Sequence, residues 1–97
     1  MAGWILEGAG EPPIVLRLAT GSVKTIGRTA RADFIIDAPL VSRLHCRLTA
    51  DKTDQLLVED LRSTNGILVN SERVERAVLR TGDVLTVGRI ELSVRPA

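Results

Sequence analysis

Short apolar segments of strand length recur along the chain at intervals of roughly 8 to 12 residues, separated by turn-forming residues. Val, Ile and Leu dominate these segments, and β-branched residues favour strands. The pattern predicts strands over 4–7, 14–18, 23–27, 34–36, 45–49, 56–60, 67–69, 74–79, 84–87 and 90–94, with 74–79 readable as two short strands.

The last segment shows the clearest alternation, since Ile90, Leu92 and Val94 alternate with polar residues. This period of two is typical of a half-buried strand. The Gly88-Arg89 dipeptide before it predicts a two-residue hairpin turn. No window of 11 or more residues carries a capped helical stripe. We therefore expect an all-β protein, an antiparallel β-sandwich of about ten short strands.

Composition limits the organisation of the chain. Its 97 residues suffice for one hydrophobic core, so we expect residues 1–97 to form one domain. Apolar residues make up 44% of the chain, and Trp4 and Phe34 are its only aromatic residues, which predicts an aliphatic core. With Cys46 as the single cysteine and one histidine, neither an intramolecular disulfide nor a zinc cluster is expected. We expect no metal and no cofactor.

Hydropathy and charge narrow the possible partners. No run approaches the roughly 18 apolar residues that cross a membrane, and no signal-peptide pattern is visible, so a soluble, cytoplasmic protein is expected. The net charge of +1 argues against a nucleic-acid binder. The segment from Lys24 to Arg47 nevertheless carries a local charge of +3, against −2 for the remaining residues.

Three predicted loops concentrate polar residues: Gly27-Arg28, Ser42 to His45, and Asp60 to Gly66. The guanidinium of Arg28 can grip a phosphate with two parallel hydrogen bonds, which Lys cannot do. Ser42 and Thr64 add hydroxyl donors, Arg43 adds a second cation, and Asn65 can both donate to and accept from an extended peptide backbone. Each residue also has a simpler explanation.

Asn65-Gly66 alone is a strong turn signal, and a hairpin joining strands 56–60 and 67–69 would explain it. Ser42 alone can cap a turn, and Arg28 alone can be a surface charge. A Gly-Arg pair is weak as a motif, because Gly88-Arg89 matches it without the surrounding residues. Only the combination of the three loops distinguishes binding from these alternatives.

The combination has a defined spacing: Gly-Arg, fourteen residues from Arg28 to Ser42, Ser-Arg-x-His, fifteen residues from His45 to Asp60, and Asp-Leu-x-Ser-Thr-Asn-Gly. This sequence resembles a forkhead-associated (FHA) domain from about Ile14 to Val94. The resemblance extends to Thr81-Gly82-Asp83 and Val87-Gly88, which are similar to closing elements of that family. It implies a β-sandwich of two twisted sheets, ten to eleven strands in all, whose end loops read phosphothreonine in an extended peptide.

By position, Arg28 and Ser42 resemble the family's principal phosphate contacts, Thr64 an additional one, and Asn65 the residue that bonds the peptide main chain. Arg43 is expected to assist with phosphate or peptide. The same resemblance implies architectural roles for three further residues, with His45 bracing the loops through hydrogen bonds: Gly27, His45 and Gly66. The implied partner is a threonine-phosphorylated protein or peptide, in a signalling adaptor that is not an enzyme.

Peptide selectivity is open at this stage. Leu40, two residues before Ser42, resembles part of the family's selectivity region and hints at an aliphatic preference. Arg62, within the Asp60 to Gly66 loop, would instead favour acidic peptide residues. Two positions depart from the family pattern, since Ile67 stands where Thr often follows Asn-Gly and Ser71 stands where Gly is common.

Two rival functions remain. Ser42, His45 and either Asp60 or Asp37 nominally supply a hydrolase triad, but Ser42 is not in a Gly-x-Ser-x-Gly elbow. The other rival is an FHA-fold assembly domain that binds an unphosphorylated protein surface. The joint presence of Arg28 and Ser42 favours phosphate over that alternative. The sequence leaves the phosphorylated partner, its kinase and the oligomeric state open.

Overall fold

A computed structural model describes residues 3–97; Met1 and Ala2, which the expected domain includes, lie outside the described residues. Within residues 3–97 the chain forms eleven strands and no helix, so this range contains no helix that could cross a membrane. The strands are β1 (Gly3–Gly8), β2 (Ile14–Ala19), β3 (Val23–Gly27), β4 (Phe34–Ile35), β5 (Cys46–Ala50), β6 (Leu56–Asp60), β7 (Ile67–Val69), β8 (Glu72–Val74), β9 (Arg76–Leu79), β10 (Val84–Val87) and β11 (Ile90–Pro96).

The strands form two sheets that enclose one core, which confirms the predicted β-sandwich. The six-stranded sheet has the order β2-β1-β11-β10-β7-β8, and the five-stranded sheet has the order β4-β3-β5-β6-β9. All neighbouring strands are antiparallel except β3 and β4, which are parallel. This exception arises because residues 28–33 fold back along β3, where the Asp33 carboxylate accepts hydrogen bonds from the Thr25 N–H and hydroxyl at 2.9 and 3.1 Å.

The predicted segment 74–79 divides between the two sheets. β8 ends at Val74 in the six-stranded sheet, and β9 begins at Arg76 in the five-stranded sheet. Glu75 is the crossing point, and its carbonyl accepts the Asp60 N–H at 2.8 Å. This confirms the reading of the segment as two short strands, whereas the apolar pattern did not predict that they lie in different sheets. By contrast, β3, β6, β7 and β10 have the predicted bounds.

Inward-facing side chains of both sheets build an aliphatic core, as predicted. In β5 every second residue, Cys46, Leu48 and Ala50, is fully buried. Trp4 and Phe34 are only partly buried and pack against the cluster. The core therefore consists mainly of close-packed Leu, Ile and Val, whose burial removes apolar surface from water and holds the sheets together.

The structure confirms one of the two predicted hairpin turns and contradicts the other. Gly88-Arg89 is a two-residue hairpin between paired Val87 and Ile90, with Gly88 at φ 63°, as predicted. The hairpin hypothesis for Asn65-Gly66 is wrong, because β6 and β7 lie in different sheets. Residues 61–66 instead carry the chain from one sheet to the other.

Candidate functional site

Three loops meet at one end of the sandwich: residues 28–33 after β3, residues 36–45 before β5, and residues 61–66 after β6. Three side-chain bonds join the second loop to the third, and the one made by the His45 ring is described below. The Ser42 hydroxyl oxygen accepts the Thr64 N–H at 3.1 Å, and the Asn65 amide donates to the Leu40 carbonyl at 3.1 Å. The Arg28 N–H joins the first loop to the second by donating to the Ser42 carbonyl at 2.9 Å.

The Arg28 side chain is held by a single anchor. Its Nε donates to the Val41 carbonyl at 2.9 Å, whereas its two Nη groups have no hydrogen-bond partner within residues 3–97. The residue is exposed and takes no part in the two ion pairs of this range. Arg28 therefore presents an oriented guanidinium with its outer donors available.

Gly27 is required by a close backbone approach. A Cβ at this position would lie 2.1 Å from the Arg43 carbonyl oxygen, which is far inside van der Waals contact. The Gly27 carbonyl also accepts the Ile36 N–H at 2.8 Å. Only glycine therefore allows the end of β3 to lie against the Ser42-Arg43 segment.

His45 lies beneath the loops and is fully buried. Its Nδ1 accepts the Ser42 N–H at 2.9 Å, so in the neutral ring Nε2 carries the proton and donates to the Gly66 carbonyl at 2.7 Å. Its backbone bonds to Ile26 and Leu61 at 2.8 and 2.9 Å. One imidazole thus connects the second loop to the end of the third.

The third loop is held by its own polar residues. The Asp60 carboxylate accepts from the N–H and hydroxyl of Ser63, and the Ser63 hydroxyl oxygen accepts the Gly66 N–H at 2.8 Å. Arg62 and Gly66 adopt φ values of 56° and 74°. These bonds fix the conformation of the third loop.

The geometry contradicts the rival interpretation in which Ser42, His45 and an aspartate form a hydrolase triad. A triad needs the serine hydroxyl to donate to the histidine ring, which the carboxylate orients. Here His45 bonds the backbone N–H of Ser42, the Ser42 hydroxyl accepts from Thr64, and Asp60 binds Ser63. Asp37 has no hydrogen bond to His45, whose two ring nitrogens are both occupied.

Other reactive groups near the loops are also restrained. Burial, with a smaller contribution from the Asp60 carboxylate, raises the pKa of the Cys46 thiol to about 12. The buried thiol is therefore neutral and unreactive at neutral pH. No group of three metal-ligating His, Cys, Asp or Glu side chains forms in the described part of the chain.

Between the second and third loops lies an open cleft of about 440 Å³. Four of the five predicted phosphopeptide-binding residues line it, as does Leu40; Arg43 and Arg62 do not. Four of the lining residues were not predicted as ligand contacts from the sequence: Asp37, Ala38, Pro39 and Val41. Their position just before Ser42 in the chain was an available signal. The lining residues are Arg28, Asp37, Ala38, Pro39, Leu40, Val41, Ser42, Thr64 and Asn65.

The fold and the cleft define a β-sandwich with a polar, cation-bearing recess in its end loops. The chain belongs to the FHA family, because the model of the FHA domain matches residues 24–88. This match includes all ten residues that the sequence singled out for binding, selectivity or architecture.

Two of the relatives are proteins of Mycobacterium tuberculosis. The chain is 43% identical over 77 residues to an ABC transporter ATP-binding/permease protein of Mycobacterium tuberculosis, covering 77% of the chain and 8% of that protein. It is 36% identical over 97 residues to the FHA domain-containing protein FhaA of the same organism, covering 91% of the chain and 18% of FhaA. The chain thus spans a small part of each relative.

Solved FHA structures share the fold over nearly the whole chain. One, from work on phosphothreonine-dependent FHA domain interactions, superposes with a TM-score of 0.88 at 33% identity and covers 97% of this chain and 96% of that one. The FhaA FHA domain, complexed with the intracellular domain of another protein, gives 0.86 at 34% identity and covers 95% and 99%.

Proposed function

We propose that this FHA domain is a signalling adaptor that binds threonine-phosphorylated proteins through its end-loop cleft. The observation that carries the proposal is the convergence of Arg28, Ser42 and Thr64 on one open recess. Recognition is an equilibrium binding event in which no covalent bond is made or broken. We propose no catalytic residue, metal or cofactor.

The phosphate chemistry follows from donors that the loops leave free. A phosphothreonine carries a charge of roughly −1.5 to −2 at neutral pH and has three acceptor oxygens. The Nη groups of Arg28 supply charge-assisted hydrogen bonds. The Ser42 hydroxyl is bonded only as an acceptor, so its proton is free to donate, and Thr64 adds an exposed hydroxyl.

Asn65 is proposed to hold the peptide main chain. Its Nδ2 bonds Leu40, whereas no partner within residues 3–97 bonds its Oδ1, which is available to accept a peptide N–H. Asn65 is exposed at the cleft, as a residue that contacts an extended ligand must be. The bond to Leu40 also sets the spacing between the two walls of the cleft.

The remaining predicted residues act less directly in this proposal. Arg43 is exposed outside the cleft and contributes charge that attracts the phosphate rather than a lining contact. Leu40, 45% exposed and at φ 70°, is placed to contact an aliphatic peptide side chain. Arg62 stays a predicted selectivity residue, although it does not line the cleft. Gly27, His45 and Gly66 are proposed to support the loops.

Relatives support the proposal at the level of the family. A structure at 33% identity comes from work on phosphothreonine-dependent FHA interactions, and the FhaA domain was solved in complex with a protein domain. We infer a phosphorylated protein as the partner of this chain. We further propose that the strands on both sides of residues 24–88 belong to the same binding module.

Fluorescence anisotropy with three degenerate peptide libraries, identical except for phosphothreonine, phosphoserine or unphosphorylated threonine at the fixed position, tests the function. Ionic strength is held constant, because screening changes the electrostatic part of binding. We expect the phosphothreonine library to bind more tightly than the other two libraries. Burial of the extra methyl group of threonine contributes about 0.8 kcal/mol, which corresponds to about fourfold higher affinity than for phosphoserine. A larger affinity ratio would require a binding pocket whose shape favours threonine.

The other outcomes discriminate between the rival functions. Equal binding of phosphorylated and unphosphorylated libraries, or binding of none, contradicts phosphate recognition and favours the phosphate-independent assembly domain. Equal binding of phosphothreonine and phosphoserine retains phosphate recognition but removes the threonine preference.

A further inference from the structure

The side chain of Arg73 covers the glycine that ends the third loop. Gly66 has φ 74°, and a Cβ at this position would lie 2.8 Å from Nε and 2.9 Å from Cζ and Nη2 of Arg73. Because three atoms of the guanidinium are nearly equidistant from that point, its plane faces Gly66. This contact explains why Gly66 is buried although neighbouring Thr64 and Asn65 are exposed.

The position of Arg73 is well defined. It belongs to β8, an outer strand of the six-stranded sheet, and is paired with Leu68. The Gly66 peptide groups beneath it are fixed on both sides, by Ser63 at 2.8 Å and His45 at 2.7 Å. Gly66 directly follows Asn65, which lines the cleft. The guanidinium of Arg73 therefore lies against the residue that adjoins Asn65, although Arg73 itself does not line the cleft.

The charge of Arg73 has no partner within residues 3–97. Neither of the two ion pairs in this range, Arg47–Glu59 and Arg95–Glu7, includes it, and no hydrogen bond to its side chain is formed there. The residue is exposed. A guanidinium that is oriented, exposed and unpaired offers a planar fork of N–H donors that matches a carboxylate.

We propose that Arg73 binds an aspartate or glutamate side chain of the phosphopeptide. This acidic residue would flank the phosphothreonine on the side where Asn65 is proposed to hold the peptide main chain. The inference rests on the proposed phosphopeptide function and assigns to Arg73 the acidic selectivity that the sequence suggested for Arg62. Neither arginine lines the cleft, but Arg73 contacts Gly66, which directly follows Asn65 of the cleft wall.

The test begins with a phosphothreonine library that is degenerate at the flanking positions, selected on the parent protein and on Arg73→Gln. We expect Asp and Glu to be enriched at one flanking position by the parent only. Two defined phosphothreonine peptides, with glutamate or alanine at that position, then give an affinity ratio. We expect the parent to prefer the glutamate peptide by about threefold, the scale of an exposed ion pair.

The variants separate recognition from structure. Arg73→Gln should reduce the ratio to near one, and Arg73→Lys should retain part of it. Arg76→Gln, an exposed strand arginine in the other sheet, is the matched control and should keep the parent ratio. A preference that also shrinks as salt is raised would support a surface ion pair.

Four results would overturn the assignment to Arg73. A parent that binds phosphothreonine peptides without an acidic preference refutes the role of Arg73 and leaves the proposed function intact. Equal weakening of both peptides by Arg73→Gln indicates that Arg73 only supports the loop. An unchanged ratio in Arg73→Gln that is lost in Arg62→Gln returns the selectivity to Arg62. Failure of every phosphopeptide to bind instead refutes both proposals.

Discussion

The guanidinium of Arg28 is oriented before a ligand binds, because its Nε donates to the Val41 carbonyl. That anchor leaves the Nη groups for phosphate. Arg28→Ala removes these donors, and hydrogen bonds to a charged group contribute roughly 1.5 to 3 kcal/mol. We therefore expect the affinity for a phosphothreonine peptide to fall by about 10- to 150-fold, measured by isothermal titration calorimetry.

Two further variants control this experiment. Arg28→Lys keeps the charge but lacks the planar fork, so its affinity should lie between those of the parent and Arg28→Ala. Arg17→Ala removes an exposed arginine on β2 and should change nothing. All three variants should melt close to the parent. An unchanged affinity in Arg28→Ala would refute the phosphate assignment.

His45 should behave differently, because its ring bonds only protein groups. His45→Ala leaves the Ser42 N–H and the Gly66 carbonyl without their partner and creates a cavity under the loops. We expect the free energy of unfolding to fall by roughly 2 to 4 kcal/mol. Denaturant unfolding measures the change, and peptide binding should weaken through loop disorder. A parental unfolding curve with abolished binding would show that His45 contacts the ligand.

Asp37 places a negative charge in the cleft that is proposed to receive phosphate. It lines the cleft with Arg28, is exposed, and forms no ion pair with it. Asp37→Asn removes a repulsion, so we expect severalfold tighter binding of a phosphothreonine peptide at low ionic strength and a smaller gain at high salt. Titrations at two salt concentrations test this. Weaker binding by the variant would mean that Asp37 contacts the peptide itself.

At the scale of single residues, the sequence predicted side chains whose chemistry is specific. The chemistry of Arg28, Ser42, Thr64 and Asn65 suits phosphopeptide binding, the FHA resemblance implied their roles, and the structure brings them to one cleft. Arg73 had no such signal. Its proximity to Gly66 depends on the pairing of β7 with β8 and on the path of the third loop, neither of which residue composition determines.

At the scale of elements, the β7–β8 hairpin contains local strain. Its two turn residues, Asn70 and Ser71, have φ values of 52° and 69°, as in a type I′ turn, and Val69 pairs with Glu72 across it. Asn tolerates this conformation, whereas Ser at the second position does not favour it. We expect Ser71→Gly to stabilise the protein by roughly 0.5 to 1 kcal/mol.

Thermal and urea unfolding of Ser71→Gly and Ser71→Ala would test the cause. Ala keeps the steric cost of positive φ, so it should give no gain. Equal stabilisation by Gly and Ala would place the effect in the serine hydroxyl rather than in the backbone.

The extent of most strands was predictable because alternation and turn residues report local structure. The division of strands between sheets was not, because it depends on which distant strands pair. Segment 74–79 was readable as two short strands, and Glu75 does divide it, but composition did not indicate that the two strands belong to different sheets. The Asn65-Gly66 dipeptide has hairpin chemistry, yet its loop is fixed by Ser63, Asp60 and His45 as it crosses the sandwich.

At the scale of the molecule, the residues matched by the family model do not make a complete sandwich. Residues 24–88 lack β1, β2 and β11, which form half of the six-stranded sheet. These strands contribute Leu6, Leu18 and Leu92 to the buried core. We expect a 24–88 fragment to expose this core and show no cooperative unfolding, as measured by circular dichroism. A cooperative transition with retained phosphopeptide binding would restrict the binding module to 24–88.

The stability of the whole domain should depend on pH through three aspartates in its connections. Hydrogen bonds lower the pKa of each carboxyl, chiefly from the Thr25 N–H to Asp33, from the Thr53 hydroxyl to Asp51 and from the Asn70 amide to Asp83. Because these pKa values are lower in the folded state than in the unfolded state, the ionised carboxylates favour folding. Their contribution is complete above the unfolded pKa of about 3.9 and is lost as the pH falls through the folded values.

We therefore expect these three groups to leave the free energy of unfolding unchanged between about pH 7 and 5, and to lower it progressively below about pH 4. Urea unfolding across this range measures the profile. Replacing all three aspartates by asparagine removes the groups that bind protons on unfolding, so the decline in acid should be shallower than in the parent. An equally steep decline in the triple variant would assign the acid sensitivity to other carboxylates.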